Sequence, residues 1–278
     1  MRSGVVTLVG RPNVGKSSLL NRMIGTKVSI VSDKVQTTRW PVRGVLHHGN
    51  GQVVFVDTPG IHRPRGPRGQ RMHEAATGAI EGVDVVCLVL DATAPLGGGD
   101  RFVADQVPAT SVVALNKIDR ASPARLLAQL QAAGELGLSE YFPVSARTGE
   151  GVEALVDGLV ARLPEGPPLY PPETIRDLDE ATWVAELVRE QLLGVLRDEL
   201  PHAVGTRVTE WEGRRIRCEI LVERDSQKGI VIGRGGGVLK AVGTAVRAQL
   251  DPGVHLELVV KVERDWQRRD APHGSLAE

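Results

Sequence analysis

Apolar and polar positions alternate in blocks along the first 164 residues of the 278-residue chain. Runs rich in Val, Leu and Ile fall at 4–9, 42–48, 52–57, 83–91, 111–116 and 141–145. Between them, apolar residues recur at helical spacing over 16–24, about 70–81, 100–107, 123–135 and 151–163. Near-continuous apolar runs suit strands buried on both faces, and a single apolar stripe suits a helix lying on such a sheet. The pattern predicts an α/β domain over 1–164, with a mainly parallel sheet and helices on both faces. Gly49-Asn50-Gly51 predicts a hairpin between the second and third strands.

The alternation stops at Leu163-Pro164-Glu165-Gly166-Pro167-Pro168-Leu169-Tyr170-Pro171-Pro172, with five prolines in ten residues. Proline fixes φ and cannot continue a helix, so a stiff, extended linker is predicted over 165–175. A smaller domain follows over 176–266. Trp183, Val184, Leu187, Val188, Leu192, Val195 and Leu196 recur at helical spacing, and Pro201 is expected to end that helix. Strands are predicted at 203–211 and 215–223, a short helix and a Gly-rich loop near 226–236, a helix over 238–250 and a last strand over 254–262. Residues 267–278 have no pattern and read as a fraying tail.

Composition changes this picture little. Lys and Arg number 34, Asp and Glu 34, so no global charge announces nucleic acid, and basic surface must be local. The longest apolar run, Val85–Leu90, is too short to span a bilayer. The N-terminus enters the first strand directly, which leaves no room for a cleavable leader. Cys87 and Cys218 stand far apart in strand-like runs, as buried reduced thiols would. A cytoplasmic protein is expected.

Candidate chemistry is concentrated at the ends of the predicted strands. Gly10-Arg11-Pro12-Asn13-Val14-Gly15-Lys16-Ser17 reads G-x-x-x-x-G-K-S between strand and helix, with Ser18 next. Its glycines let backbone N–H groups converge on phosphate, Lys16 reaches the β- and γ-phosphates, and the Ser17 hydroxyl suits Mg²⁺. Asp57-Thr58-Pro59-Gly60 follows the third strand. The Asp57 carboxylate can hold Mg²⁺, and Gly60 lets its N–H approach a γ-phosphate. Asn116-Lys117-Ile118-Asp119 follows the fifth strand. A carboxylate at Asp119 accepts from N1–H and N2–H₂ of guanine, and adenine would leave it unpaired. Asn116 can bridge base edge and phosphate loop, Lys117 can pack over base and sugar, and Ser145-Ala146 can complete the pocket. The substrate read from these residues is GTP, with GDP as product and Mg²⁺ as metal.

These motifs resemble the translation-factor class of GTPases. The resemblance makes 33–39 (Asp-Lys-Val-Gln-Thr-Thr-Arg) a first switch, with Thr38 rather than Thr37 on Mg²⁺. It makes the Gly/Pro-rich, basic stretch 61–71 a second switch. Lys16, Thr38, Gly60 and Asn13 are the implied catalytic set. Small GTPases carry a water-orienting Gln directly after D-x-x-G; Ile61 stands there and can neither donate nor accept. Slow intrinsic hydrolysis is therefore expected. His62 is a lone loop histidine and receives no role. In GTPases with this G-x-P-N-x-G-K-S loop the Asn helps to hold a monovalent cation, so potassium is expected at Asn13.

In the second domain, Gly233-Arg234-Gly235-Gly236 matches the G-x-x-G loop with which KH modules clamp single-stranded RNA. The element order gives an α+β KH fold of type II. Residues 201–250 carry nine Lys/Arg against five Asp/Glu, which supplies the local positive charge that the whole chain lacks. Lys228, Arg234 and Lys240 are the candidate phosphate contacts, beside Gly229, Gly233, Gly235 and Gly236.

A G-x-P-N-x-G-K-S GTPase with Gln36-Thr37-Thr38-Arg39 in its first switch, joined to a KH module, resembles the bacterial Era family over nearly all of 4–266. Gln227-Lys228-Gly229-Ile230 and Val260-Lys261-Val262 near Trp266 share in that likeness. The resemblance implies a switch that binds small-subunit ribosomal RNA near its 3′ end and assists maturation of the small ribosomal subunit. It also implies loose peripheral association with the inner face of the membrane, for which no segment argues; a monomer is expected. Two other readings stand beside it. One is a constitutive RNA-binding protein with a structural G domain. The other is a GTP-dependent RNA-modification factor, for which the sequence offers no second catalytic centre.

Overall fold

The structure is a computed structural model that describes residues 1–49, 51–61 and 74–266. Two compact units emerge, one of residues 1–31 and 38–177, the other of residues 32–37 with the chain from Leu178 onward.

The first unit runs β1 (Arg2–Val9), α1 (Lys16–Ile24), β2 (Val42–His48), β3 (Gly51–Asp57), α2 (described over 74–78), β4 (Val85–Asp91), α3 (Gly98–Ala104), β5 (Val112–Asn116), α4 (Pro123–Gly134), β6 (Glu140–Pro143), α5 (Val152–Val160) and β7 (Arg176–Asp177). The sheet order is β6-β5-β4-β1-β3-β2-β7. Neighbours are parallel except β2 against β3 and β7 against β2. Side chains of a strand alternate between faces. Cys87 and Val89 of β4 accordingly enter an apolar layer with Leu19, Leu155 and Leu159, whereas Leu88 and Leu90 enter the opposite one with Val103 and Leu115. Local chemistry fixes helix starts: Ser122 Oγ accepts from the Arg125 N–H, with Pro123 in the first turn of α4.

The Pro-rich run is not a free linker. The Ser3 N–H donates to the Pro164 carbonyl, and Arg2 bridges Glu165. Gln52, fully buried on β3, accepts from the N–H groups of Leu169 (2.6 Å) and Tyr170 (3.0 Å) and donates to the Tyr170 carbonyl (2.7 Å). Residues 176–177, predicted to open the second domain, instead form the edge strand of the first sheet. The division falls between Asp177 and Leu178. Proline removes donors but leaves carbonyls and the remaining N–H groups to be satisfied, and a buried Gln supplies both partners here.

The second unit runs α6 (Glu180–Val195), α7 (Leu200–Ala203), β8 (Gly205–Glu212), β9 (Arg215–Val222), α8 (Asp225–Ile232), a 3₁₀ turn (Arg234–Gly236), α9 (Gly237–Arg247) and β10 (His255–Val262). The Asp179 carboxylate caps α6 at the Thr182 N–H, 2.8 Å away. Pro201 lies inside the short α7 rather than at the end of α6, which stops at Val195. Strand order is β10-β9-β8, with β9 parallel to β10 and antiparallel to β8. The expected tail, 267–278, lies outside the described residues. No single helix among the described residues is long and apolar enough to cross a membrane.

Cys87 lies buried in β4 and Cys218 in β9, one in each unit. Burial pushes both thiols up to about 12. The native protein is expected to give no reaction with an aromatic disulfide reagent at pH 8, and both thiols are expected to react once it is denatured. A thiol titrating within minutes in the native state would contradict this packing.

Candidate functional site

The loop from Gly10 to Gly15 leaves β1 and turns into α1. Three positive φ angles build it: Gly10 at 154°, Asn13 at 64° and Gly15 at 99°. The first turn of α1 has neither a side-chain cap nor an acidic residue, so its N–H groups remain available to an anion. Lys16 is buried and donates to the carbonyls of Gly10 and Arg11, both at 3.1 Å. Burial lowers its pKa to about 8, with Asp57 pulling the other way. The ammonium is thus poorly solvated and, among the described residues, hydrogen-bonds to carbonyls of its own loop. A phosphate would give it a stronger partner.

Asp57, fully buried at the carboxyl end of β3, is the hub of the site. Its Oδ2 accepts from three hydroxyls: Ser17 at 2.6 Å, Ser29 at 2.8 Å and Thr38 at 3.3 Å. Ser17 and Thr38 stand 3.1 Å apart. Its Oδ1 is buried without a hydrogen-bond partner among the described residues. Burial raises the Asp57 pKa, against the opposing pull of Lys16 and the three hydroxyls. One unpaired carboxylate oxygen beside two converging hydroxyls is the hard oxygen donor set that Mg²⁺ selects, so the residues fit the metal. Thr37 uses its hydroxyl on the Lys34 carbonyl of its own turn, at 2.7 Å.

Asn116, at the end of β5, joins two loops. Its Nδ2 donates to the Val14 carbonyl (3.0 Å), and its Oδ1 accepts from the Ala146 N–H (3.0 Å). Lys117, in a left-handed conformation, donates to the Asn13 carbonyl and to Asp91 Oδ2, each at 2.6 Å. Asp119 Oδ1 accepts from Ser145 Oγ at 2.8 Å, and its Oδ2 lies 3.7 Å from Arg147. The three strand-end motifs and Ser145-Ala146 therefore converge at the carboxyl edge of the sheet, where open α/β sheets hold their ligands. Thr58 donates to the Leu8 carbonyl at 2.7 Å, and Gly60 lies against Pro12.

Sequence reasoning missed Ser29 and Asp91. Asp91 did carry a signal, a carboxylate at the carboxyl end of a parallel strand. Ser29 carried none. His62 and most of the expected second switch lie outside the described residues.

Ile61 is fully buried in the apolar layer with Leu88 and Leu90, and its N–H donates to the Gly10 carbonyl at 3.0 Å. Ile61→Gln is expected to cost about 2–4 kcal/mol of stability, because the amide enters an apolar layer. It is expected to leave GTP turnover no faster than in the unaltered protein. Denaturant titration and phosphate release check the two parts, and faster turnover would show that the side chain can reach the attacking water.

In the second unit, Gly233, Gly235 and Gly236 have φ of 75°, 59° and 74°. A Cβ on Gly233 would lie 2.8 Å from the Val238 nitrogen, whereas none of the described atoms comes within 4 Å of one on Gly235 or Gly236. The loop thus presents bare backbone outward. The first turn of α9 has no side-chain cap and no acidic residue. Arg234 and Lys240 are exposed, Lys228 is half-buried, and Gly229 is exposed on α8.

A family model described as "50S ribosome-binding GTPase" matches residues 5–117, and one described as "KH domain" matches residues 199–267. Curated proteins named GTPase Era are similar over nearly the whole chain. That of Mycobacterium sp. (strain JLS) is 44% identical over 99% of this chain and 98% of its own length. That of Mycobacterium tuberculosis (strain ATCC 25177 / H37Ra) is 43% identical over the same shares. Among solved structures, a single-site variant of Aquifex aeolicus Era bound to GDP.AlF4- superposes with a TM-score of 0.91 at 37% identity, over 97% of this chain and 96% of that one. Era in complex with MgGDPNP and nucleotides 1506–1542 of 16S ribosomal RNA superposes with a TM-score of 0.91 at 38% identity, over the same shares. A phosphate loop, a guanine-type pocket and a G-x-x-G unit in this order, with that identity along the whole chain, place it in the Era family of GTPases with a C-terminal KH domain.

Proposed function

We propose that this GTPase is a slow switch whose KH unit binds small-subunit ribosomal RNA near its 3′ end and thereby assists maturation of the small ribosomal subunit. The observation that carries the RNA part is the likeness, at 38% identity over 97% of the chain, to the Era structure that holds nucleotides 1506–1542 of 16S ribosomal RNA. The outward glycines at 235 and 236 and the uncapped start of α9 support it, because phosphates can approach such a backbone closely. Arg234, Lys228 and Lys240 supply charge beside them.

In the first unit, the loop N–H groups and Lys16 would hold the β- and γ-phosphates, and Asp119 would select guanine. Asn116 and Lys117 would keep the base pocket joined to the phosphate loop. Ser17, Thr38 and Asp57 would hold Mg²⁺, which when bound neutralises charge on the phosphate oxygens. The Gly60 N–H would meet the γ-phosphate and so report its presence. With no side chain directly after Gly60 able to orient water, turnover would be slow, and potassium at Asn13 would supply part of the missing charge stabilisation. Loss of the γ-phosphate would release Thr38 and Gly60, and RNA affinity would follow the nucleotide state.

The test is binding of a fragment of the small-subunit RNA 3′ end, measured with a GTP analogue, with GDP and without nucleotide. Gly235→Asp is expected to weaken binding at least about tenfold, since it puts a carboxylate where phosphate would lie and a side chain on a positive φ. Absence of binding in every state would end the RNA reading. Equal affinity in all three states would favour a constitutive RNA-binding protein instead.

A further inference from the structure

Arg22 lies on the last turn of α1, six residues after Lys16, and none of the motifs uses it. Its Nε donates to the Ala146 carbonyl at 2.9 Å, and a second guanidinium nitrogen donates to the Arg147 carbonyl. A Cβ on Gly149, a residue with φ of 91°, would lie 3.8 Å from Arg22 Cδ, so the side chain runs close beside the loop that follows Ser145. That loop also carries hydrogen bonds of its own. The Gly149 N–H donates to the Ser145 carbonyl, the Ser145 N–H to the Glu150 carbonyl, and the Thr148 N–H to Ser145 Oγ. The same Ser145 Oγ donates to Asp119 Oδ1, and the Ala146 N–H meets Asn116. Arg22 therefore grips the two carbonyls that follow the residues on which Asp119 and Asn116 lean.

We infer that Arg22 is a positioning residue for guanine recognition: it fastens the 145–149 loop to the helix of the phosphate loop and so fixes Asp119 against the base edge. A planar guanidinium suits this task because it presents two N–H groups in a fixed fork to two adjacent carbonyls. Lysine offers a compact point charge on a flexible stem and cannot reproduce that fork. The inference rests on the reading of Asp119 as the acceptor for guanine.

The experiment compares the affinities of GTP, GDP and inosine triphosphate for the full chain, for Arg22→Ala and for Arg22→Lys. Inosine keeps N1–H but lacks the 2-amino group. Arg22→Ala is expected to weaken GTP and GDP alike by about tenfold, as for the loss of a charged hydrogen-bond donor, with most of the change in the dissociation rate. Inosine triphosphate is expected to lose less, so that preference for GTP shrinks about threefold or more. KM should rise while kcat at saturating GTP stays within about twofold, and Arg22→Lys should recover part of the affinity. If GTP and inosine triphosphate weaken by the same factor, Arg22 supports only the phosphate loop and the inference fails. It fails likewise if the dissociation rate of GDP is unchanged. Should the unaltered protein not prefer GTP over inosine triphosphate, the reading of Asp119 falls first, and the role of Arg22 with it.

Discussion

Asp119→Asn is expected to weaken GTP binding by at least about a hundredfold and to restore tight binding to xanthosine triphosphate. The carboxylate has two acceptor oxygens and no donor. Guanine offers N1–H and N2–H₂, and both would find an acceptor in Asp119 in the proposed pocket. An Asn keeps one acceptor and turns an amide donor toward the 2-amino group, donor against donor. Xanthine carries a carbonyl at that carbon, which accepts from the amide while N1–H still meets the amide oxygen. Ser145 Oγ donates to Asp119 Oδ1 at 2.8 Å and could donate equally to the Asn oxygen, so the variant keeps that contact. Calorimetry with both nucleotides decides the matter. If xanthosine triphosphate binds the variant as weakly as GTP does, the loss came from a disturbed pocket rather than from a changed pattern of donors.

The second large effect is expected at Gly60. A Cβ there would lie 2.6 Å from the Pro12 nitrogen and 2.7 Å from Pro12 Cα, in the middle of the phosphate loop. The turn cannot simply step back, because it is fastened on both sides. Thr58 Oγ donates to the Leu8 carbonyl, and the Ile61 N–H donates to the Gly10 carbonyl. Gly60→Ala must push Pro12 or break one of those bonds. With GDP held by the phosphate loop and the guanine pocket as proposed, its affinity is expected to change by less than about fivefold, whereas turnover of GTP is expected to fall about a hundredfold, the cost of one misplaced donor at the reacting phosphate. Single-turnover hydrolysis and GDP titration separate the two effects. Equal losses in both would mean that the added methyl deforms the phosphate loop itself and that Gly60 has no separate part in hydrolysis.

Much of the first unit was legible because its chemistry dictates residue types at short range. A phosphate loop needs glycines, a lysine and a hydroxyl within eight positions, and a guanine acceptor needs a carboxylate at a strand end. Partners supplied by topology left no such trace. Ser29 reaches Asp57 from the segment after α1, where Asn21 Oδ1 accepts from the Val28 and Ser29 N–H groups, and no rule of spacing relates them. Gln52 interrupts an apolar strand as a polar residue with no visible purpose, and its three hydrogen bonds to Leu169 and Tyr170 appear only once the Pro-rich run lies beside it. That is also why this run read as a linker: proline content reports stiffness and says nothing about what the stiff segment leans on. Ile61 was legible by half. Its inability to orient water follows from its side chain, whereas its place in the apolar layer follows from the way the turn closes over Gly10.

The two-residue strand Arg176–Asp177 has a consequence for solubility. Without it, β2 would end the sheet with a free row of amides and carbonyls, and such a row can recruit a second chain into a growing stack. Pairing Gly44 with Arg176 and Arg43 with Asp177 occupies that row where it begins, and Tyr170 and Arg43 both bond the Asp177 carboxylate. Two residues of extended chain, set down beside a strand of seven, thus cover the start of that edge against pairing with another chain.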